Sequence, residues 1–479
     1  MSNQDQPISS QLPGYITSAI PLGTDKRASW TKNVAPTYAG IFLWFVFWQD
    51  AAKAGSLGGT LTHGVGVALL ALVLSALICH FLFYMVPGLL GMKTGLPLYI
   101  VGTSTFGAQG GFLMPGFLMG VLQFGWLGVN TFFAAQAVGA FFGLDAASTG
   151  VKVIMVVWGV LAAFVGLKGI QYVARVSTYL PLIPLAILLV MLLKTIGGVG
   201  SFNPQTLIDS HRALAPAAAA PLSAVGVIAL ILTYVVGFFA TAGAAGVDIA
   251  MSTRNKSDVS MGGIVGIALA IVVTAGISIL IVAGVYGSET LRTAAIAAGV
   301  EKKSFILDSF NLITVVMGKD AARWMMFLLA LAAFPPACFS SFIAANSFKT
   351  TLPQVNPFIS VGIGAAVSIM LAITGLAGDA IGVFTIIGAS FGPICGAMMV
   401  DYLLNGGKWS GPRAGFNPAG WISWALGFAV GILPSLKIAV PAAPVAAFIV
   451  GAVVYFACAK GGMLSPVLAL PAANTPGNK

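Results

Sequence analysis

Long apolar stretches, separated by short polar or glycine- and proline-containing segments, recur along the whole chain. Each stretch is about 20 residues long, which is the length that a helix needs to cross a bilayer. The pattern therefore predicts an all-α polytopic membrane protein with about twelve transmembrane helices. The approximate limits of these spans, numbered 1 to 12 in chain order, are 34–56, 63–88, 112–142, 151–168, 172–193, 224–247, 262–286, 321–347, 355–376, 379–403, 417–436 and 438–459.

The composition supports this interpretation. Of the 479 residues, 58% are hydrophobic and 8% are charged, whereas an ordinary soluble domain has roughly 25% charged residues. The net charge of +10 comes from lysines and arginines that stand singly near the ends of spans. Such a distribution is typical of the positive-inside bias and does not indicate a nucleic-acid partner.

The loop charges predict both termini on the cytoplasmic side of the cell (inner or plasma) membrane. The short loops that follow odd-numbered spans, which would then be outside, carry only Lys53, Lys152 and Lys437. No cleavable signal-peptide pattern is expected at the polar N-terminus. The predicted organisation is a cytoplasmic tail over 1–33, a ten-helix transport core over 34–403, two additional helices over 404–459 and a cytoplasmic tail over 460–479.

Spans 1 and 6 are irregular, and they lie five spans apart. Span 1 contains Gly40, Asp50 and Lys53, and span 6 contains glycines 237, 243 and 246. Broken helices at corresponding positions of two inverted five-helix halves indicate a binding site near the membrane midplane. Alternatively, the glycines allow close helix packing, and Asp50 and Lys53 extend to water at the outer surface.

Motifs for enzymatic chemistry are missing from the sequence. It contains no phosphate-binding loop, no nucleophile motif and no paired carboxylates within the spans. His63, His80 and His211 lack the spacing of metal ligands, and the four cysteines show no pairing pattern. We therefore expect a protein that is not an enzyme and that has no organic cofactor.

Span 3 carries polar side chains along one helical stripe, in the segment MGVLQFGWLGVN. Gln123, Trp126 and Asn130 are three and four residues apart, so a helix places them on one side. A buried amide is either a hydrogen-bonded contact between helices or part of a polar cavity. A tryptophan in mid-span favours the cavity, because an indole face beside an amide can stack on and hydrogen-bond to a flat heterocycle.

Span 6 contains Phe238, Phe239 and the hydroxyl of Thr241 in the segment GFFATAG. One aromatic ring here could cover the second face of a planar ligand. Two core phenylalanines explain the segment equally well.

Span 8 contains Pro335 and Pro336, followed within about a turn by Ser340 and Ser341. Prolines remove backbone donors and leave carbonyls free. Free carbonyls and adjacent hydroxyls are the oxygen ligands that a dehydrated Na⁺ requires. The alternative is that both serines donate back to carbonyls of their own helix.

Four segments together resemble the purine and pyrimidine permeases of the nucleobase:cation symporter family, most of all the cytosine-permease branch. They are GMKTGL at 91–96, the Phe-Gly, Pro and Gln-x-x-Trp run at 105–129, the Gly, Phe and Asp pattern at 235–248, and GPICGAMMVDYLL at 392–404. They occur in the family's order and on the corresponding helices.

The resemblance implies a leucine-transporter-like fold of two inverted five-helix repeats plus two C-terminal helices, with helices 1 and 6 broken. It also implies alternating access and coupling to Na⁺ or H⁺. Residue by residue, it implies that the substrate lies between Trp126 and Phe239, beside Gln123. The implied sodium ligands are the carbonyls of Gly40, Trp44 and Ala337 and the hydroxyls of Ser340 and Ser341.

Two positions depart from the cytosine-permease pattern. The pattern has a serine at Phe238 and an asparagine at Ala337, so this chain lacks two polar groups while Thr241 retains a hydroxyl. We therefore expect another planar substrate, such as a purine, uracil, a hydantoin, allantoin or a thiamine-related pyrimidine. Because the two serines are retained, Na⁺ is preferred over H⁺ as the coupling ion.

Symport of such a heterocycle, with the bilayer and a coupling cation as the other partners, is the leading functional hypothesis. An uncoupled facilitator or channel is the alternative, and a sensor is disfavoured because the tails are too short for an output domain. The sequence does not specify an oligomeric state, and a monomer suffices for this mechanism.

Overall fold

A computed structural model describes residues 12–33, 57–168, 179–214, 219–297 and 309–470. Within these ranges the regular structure is helical, apart from two isolated bridges between Ala28 and Thr253 and between Arg413 and Val467. Span 1 lies outside the described residues, so the hypotheses on Gly40, Trp44, Asp50 and Lys53 stay predictions.

The described residues contain helices for spans 2 to 12. Ten of these helices are long and apolar enough to cross a membrane, and the helix of span 9 is shorter. Their bounds are Gly64–Thr94, Phe112–Phe142, Thr149–Lys168, Leu182–Val199, Ala224–Ala244, Lys256–Gly287, Lys319–Thr351, Pro357–Ile373, Ala380–Leu404, Pro418–Leu436 and Ala443–Lys460.

Spans 7 and 8 begin earlier than their apolar stretches. Span 7 starts at Lys256, where the side chain of Asn255 caps the helix by accepting from the backbone N–H of Asp258. Span 8 starts at Lys319. Hydropathy marks where the lipid begins, whereas a helix continues into the polar interface for as long as its first turn is capped and solvated.

The packing places span 3 at the centre of one group of helices and span 6 at the centre of another. Span 3 packs along spans 4, 8 and 9, while span 6 packs against spans 2 and 10. Spans 10, 11 and 12 pack closely on one another. Spans 3 and 6 therefore bring residues of the two groups together.

Span 6 is interrupted at Ala245, which is followed by a short helix over Gly246–Ala250. The interruption falls at the end of the span, and the helix is continuous through the glycines of its middle. These glycines permit close contact: a Cβ at Gly237 would lie 2.6 Å from the carbonyl oxygen of Phe384, and one at Gly243 would lie 2.8 Å from Cβ of Phe83. The close-packing explanation thus applies to both.

Span 8 is a continuous helix of 33 residues that includes Pro335 and Pro336. The helix therefore continues without a break through the two prolines. Each proline still lacks the N–H that would bond to the preceding turn, so the path is kept while backbone donors are lost.

Candidate functional site

An aromatic cluster lies where spans 3, 6 and 10 meet. The ring of Trp126 lies 4.7 Å from that of Phe238 in an edge-to-face arrangement and 5.3 Å from that of Phe384. The rings of Phe238 and Phe384 are 5.5 Å apart. These centroid distances are typical of favourable aromatic pairs. Three helices that are distant in sequence thus present one continuous aromatic surface.

The indole N–H of Trp126 donates to the hydroxyl of Thr241 at 3.2 Å. Thr241 and Phe238 are three residues apart on span 6, so the helix presents both on the same face. Trp126 therefore contacts span 6 twice, through its ring and through its N–H. This polar contact joins the two helix groups at their centre.

The two neighbouring phenylalanines of span 6 differ in what they contact. The ring that faces Trp126 is that of Phe238, whereas Phe239 is 1% exposed and lies behind it at 5.2 Å from the ring of Phe238. Successive residues of a helix point about 100° apart, so the two rings cannot both face span 3. In the structure the ring of Phe238 contacts Trp126, and a substrate position between Trp126 and Phe239 stays a prediction.

Gln123 is buried one turn before Trp126. Its side-chain N–H donates to the thioether sulfur of Met119 at 3.5 Å, and a thioether is a weak acceptor. The amide of Gln123 is therefore held in place without a strong partner at that N–H. A ligand acceptor could replace the sulfur with a net gain in hydrogen-bond strength.

Asn130 forms hydrogen bonds between helices. Its amide N–H donates to the carbonyl of Ala333 at 2.8 Å, and its oxygen accepts from the indole N–H of Trp158 at 3.0 Å. These bonds connect span 3 to spans 8 and 4. The amide of Asn130 therefore has hydrogen-bond partners at both its N–H and its oxygen, whereas the N–H of Gln123 donates only to a thioether.

The hydroxyls of Ser340 and Ser341 differ in their bonding. Ser340 donates to the carbonyl of Pro336 at 3.2 Å, as expected for a serine that bonds within its own helix. Ser341 is 0% exposed, and among the described residues its hydroxyl has no hydrogen-bond partner. Ala337 is also fully buried. A buried unpaired hydroxyl is costly, so a ligand that satisfies it is favoured.

Gly166 of span 4 allows this part of span 8 to pack closely. A Cβ at Gly166 would lie 2.4 Å from the carbonyl oxygen of Cys338 and 2.8 Å from Cβ of Ser341. The glycine therefore lets the two helices approach where the serines lie.

Phe384 was not identified from the sequence. It is 0% exposed, and Tyr234 also lies near it, with ring centroids 6.4 Å apart. Its signal in the sequence is a single aromatic within the small and branched residues AIGVFTIIGAS of span 10. A lone phenylalanine in an apolar helix looks like any other core residue, and only the packing of span 10 on span 6 identifies its role.

A second polar cluster lies at one end of spans 10 and 12. Asp401 is 4% exposed, and its Oδ1 accepts from Arg413 Nη2 at 3.2 Å and from the hydroxyl of Tyr455 at 2.8 Å. The guanidinium Nε of Arg413 donates to the carbonyl of Ser104 at 2.8 Å. Asn417 donates to the carbonyl of Thr105 at 2.7 Å. We call Asp401, Arg413, Tyr455 and Asn417 the ionic cluster.

The ionic cluster fastens the segment between spans 2 and 3 to the three C-terminal helices. The segment contains the short helices Leu98–Val101 and Thr103–Phe106. Its backbone carbonyls accept from Arg413 and Asn417, while Asp401 balances the arginine charge. Each of these charged or amide groups therefore has a partner, as a buried ion pair requires.

Comparisons with known proteins bear on the family and on the fold. No family model matches the chain. The cytosine permease of Escherichia coli K12 is 27% identical over 354 residues, which cover 73% of this chain and 73% of the permease. The cytosine permease of Escherichia coli O157:H7 matches to the same extent. The chain is thus similar to cytosine permeases over about three quarters of its length, in agreement with the resemblance carried by its sequence motifs.

Solved transporters share the fold. Mhp1, a nucleobase-cation-symport-1 family transporter in a closed conformation with bromovinylhydantoin bound, superposes with a TM-score of 0.63 at 16% identity, covering 95% of this chain and 97% of that chain. A Na⁺-coupled sialic acid symporter superposes with a TM-score of 0.56 at 15% identity, covering 92% of each chain. The predicted leucine-transporter-like fold is confirmed. The relatives and structural neighbours named here are transporters, and the described residues of this chain form ten helices that are long and apolar enough to cross a membrane.

Proposed function

We propose that the chain imports a small planar heterocycle by cation symport through alternating access, with the substrate bound between spans 3 and 6. The observation that carries the proposal is the pairing of Trp126 with Phe238 across the two helix groups, at 4.7 Å. An indole face gives affinity by stacking, and the weakly bonded amide of Gln123 one turn away gives a group that can read polar edges.

A substrate that stacks where the ring of Phe238 contacts Trp126 would displace that ring. Thr241 would then share the indole N–H with the substrate or be released by it. Closing the site again would bring span 6 back against span 3 with the heterocycle enclosed. Binding energy would thereby favour one arrangement of the helix groups over the other.

The ligands of similar proteins and the residues around Trp126 support the proposed substrate class. The relatives named above are cytosine permeases, and a hydantoin is bound in the structural neighbour. In this chain Phe238 and Phe384 border Trp126 on two sides. We therefore propose a planar heterocycle with fewer or different hydrogen-bonding groups, among the purines, uracil, hydantoins, allantoin and thiamine-related pyrimidines.

Na⁺ is the coupling ion that we propose, with H⁺ as the alternative. The support is the buried hydroxyl of Ser341, which lacks a partner among the described residues, together with the backbone next to it at Ala337 and the hydroxyl of Ser340. The carbonyls of Gly40 and Trp44 would complete the set. Ser341 can supply an oxygen without first breaking an internal bond, which lowers the cost of ion binding.

The remaining parts of the proposal concern organisation. We place transport in residues 34–403 and assign a supporting role to the two helices over 404–459. We further propose a cell-membrane location with both termini in the cytoplasm and a monomer as the working unit.

Thermal unfolding of the purified protein tests the proposed ligands, since a ligand that binds only the folded state raises Tm by mass action. A panel of bases, hydantoins and thiamine precursors is screened with Na⁺ and with choline in its place. We expect one compound to raise Tm more in Na⁺ than in choline, and we expect Trp126→Ala to abolish that rise. Equal shifts in Na⁺ and choline would exclude Na⁺ as a coupled ligand.

A further inference from the structure

A groove on the lipid-facing side of the molecule lies apart from the aromatic cluster. It has a volume of about 560 Å³ and runs between spans 3, 8 and 9. Val121, Ile363 and Val367 on its walls are 38%, 64% and 47% exposed. Because these side chains belong to membrane-spanning helices, the groove opens toward the hydrocarbon of the bilayer.

The lining of the groove is almost entirely apolar. Phe117, Phe348 and Leu352 of its lining lie at or near the ends of their helices, whereas Gly125 and Gly364 lie nearer the helix middles. Its volume falls within the roughly 300–1,000 Å³ that is typical of ligand sites. A heterocycle would leave its polar edges unpaired here, whereas a hydrocarbon chain would fill the space without cost.

Two basic side chains lie at the ends of helices that form the groove or pack against it. Span 4 ends at Lys168, whose Nζ lies 5.0 Å from the ring centroid of Phe358 in the first turn of span 9. Lys349 is exposed in the last turn of span 8, next to Phe348 of the groove wall. The neighbouring stretches 112–124, 160–168 and 345–365 contain these two lysines and no acidic residue.

We propose that this groove binds an anionic phospholipid, with an acyl chain along spans 3 and 9 and the phosphate at Lys168 and Lys349. The apolar lining selects a chain, and the two lysines, which form no ion pair with the described residues, select a negative headgroup at the membrane surface. A neutral lipid would fill the same groove without the contribution of the lysines. A preference for an anionic lipid over a neutral one therefore distinguishes specific binding from ordinary solvation by the bilayer.

The bound lipid would stabilise the contact of span 3 with spans 8 and 9. The ring of Phe124 on the groove lies 5.7 Å from that of Phe348. A Cβ at Gly364 would lie 1.9 Å from the ring of Phe124, so spans 3 and 9 meet closely beside the groove. An acyl chain packed there adds contacts to both helices and should raise Tm.

Purified, delipidated protein in detergent tests the proposal by titration with dioleoyl phosphatidylglycerol and, separately, with dioleoyl phosphatidylcholine. Native mass spectrometry counts the bound lipid, and thermal unfolding reports stabilisation. We expect the wild type to retain phosphatidylglycerol preferentially. Lys168→Gln and Lys349→Gln should each weaken that binding about fivefold, because a basic residue near an anionic surface contributes about 1 kcal/mol. Val367→Trp should block the groove.

Matched variants separate the groove from the general lipid surface. Lys152→Gln removes an exposed lysine at the other end of span 4, and Val157→Trp enlarges a lipid-facing residue of the same helix outside the groove. Both should bind phosphatidylglycerol like the wild type. Equal retention of the two lipids, or undiminished binding by Val367→Trp, would overturn the proposal. Lipid-independent dimers dissociated by Val367→Trp would instead identify a second copy as the occupant.

Discussion

The ionic cluster and the proposed substrate and ion sites both bury polar groups within the helices, but the hydrogen bonding of these groups differs. Around Asp401 and Arg413, charges and amides pair with one another and with backbone carbonyls. In the proposed substrate site Gln123 donates to a thioether, and in the proposed ion site the hydroxyl of Ser341 has no partner among the described residues. A satisfied network fixes one arrangement, whereas unsatisfied groups favour a ligand that completes them. The comparison therefore separates the part that holds the fold from the part that we propose binds substrate and ion.

The largest effect is expected from Asp401→Ala. It leaves the Arg413 charge buried without its partner, which costs about 3–5 kcal/mol. We expect little folded protein and a strongly lowered Tm, measured by fluorescence-detected size exclusion and thermal unfolding. Asp401→Asn keeps the shape and some hydrogen bonds and should be less severe. If Asp401→Ala is as stable as the wild type, the cluster does not hold the fold.

Trp126→Ala should act on binding and leave folding largely intact. Stacking of a base on an aromatic side chain is worth about 1–3 kcal/mol, so affinity for the transported compound should fall about tenfold to a hundredfold in isothermal titration. Trp126→Phe keeps a ring but loses the N–H to Thr241 and should be intermediate. Trp158→Phe, which loses the bond to Asn130, is the matched control and should bind normally.

Ser341→Ala should alter the response to Na⁺ alone. Removing one oxygen ligand should raise the Na⁺ concentration for half-maximal uptake about tenfold, since a bond to a charged group is worth about 1.5–3 kcal/mol. Tm without Na⁺ should not fall, because the hydroxyl has no internal partner to lose. Ser340→Ala should shift the Na⁺ dependence less. An unchanged Na⁺ dependence in both variants would direct attention to H⁺.

The smallest effect is expected from Asn130→Ala. Hydrogen bonds between membrane helices average about 0.6 kcal/mol, so two lost bonds should lower Tm by only a few degrees. Affinity for substrate should stay within about twofold, because Asn130 contacts helices and not the aromatic cluster. A loss of affinity as large as that of Trp126→Ala would move Asn130 into the binding site.

The positions of the spans were predictable because hydropathy responds directly to the bilayer. Span 3, for example, has its predicted limits in the structure, at Phe112–Phe142. Polar residues in span 3 could also be recognised as unusual from their surroundings alone. The family resemblance supplied the order of the helices, which no local pattern contains.

Long-range relations were not predictable in the same way. Which of Phe238 and Phe239 contacts Trp126 depends on how span 6 is rotated about its axis, and neighbouring phenylalanines look alike in sequence. Phe384 joins Trp126 across more than 250 positions of chain, and Asp401 meets Ser104 through Arg413. The different bonding of Ser340 and Ser341 likewise depends on the carbonyl that each hydroxyl can reach.

Uptake into proteoliposomes with an imposed Na⁺ gradient tests the central claim most directly. The compound that stabilises the purified protein should accumulate above its external concentration, and it should stop accumulating when the gradient is collapsed. Trp126→Ala should abolish uptake. The Ser341→Ala variant should take up the compound, but only at a higher Na⁺ concentration than the wild type. Uptake that merely equilibrates, or accumulation that persists in Trp126→Ala, would contradict the account.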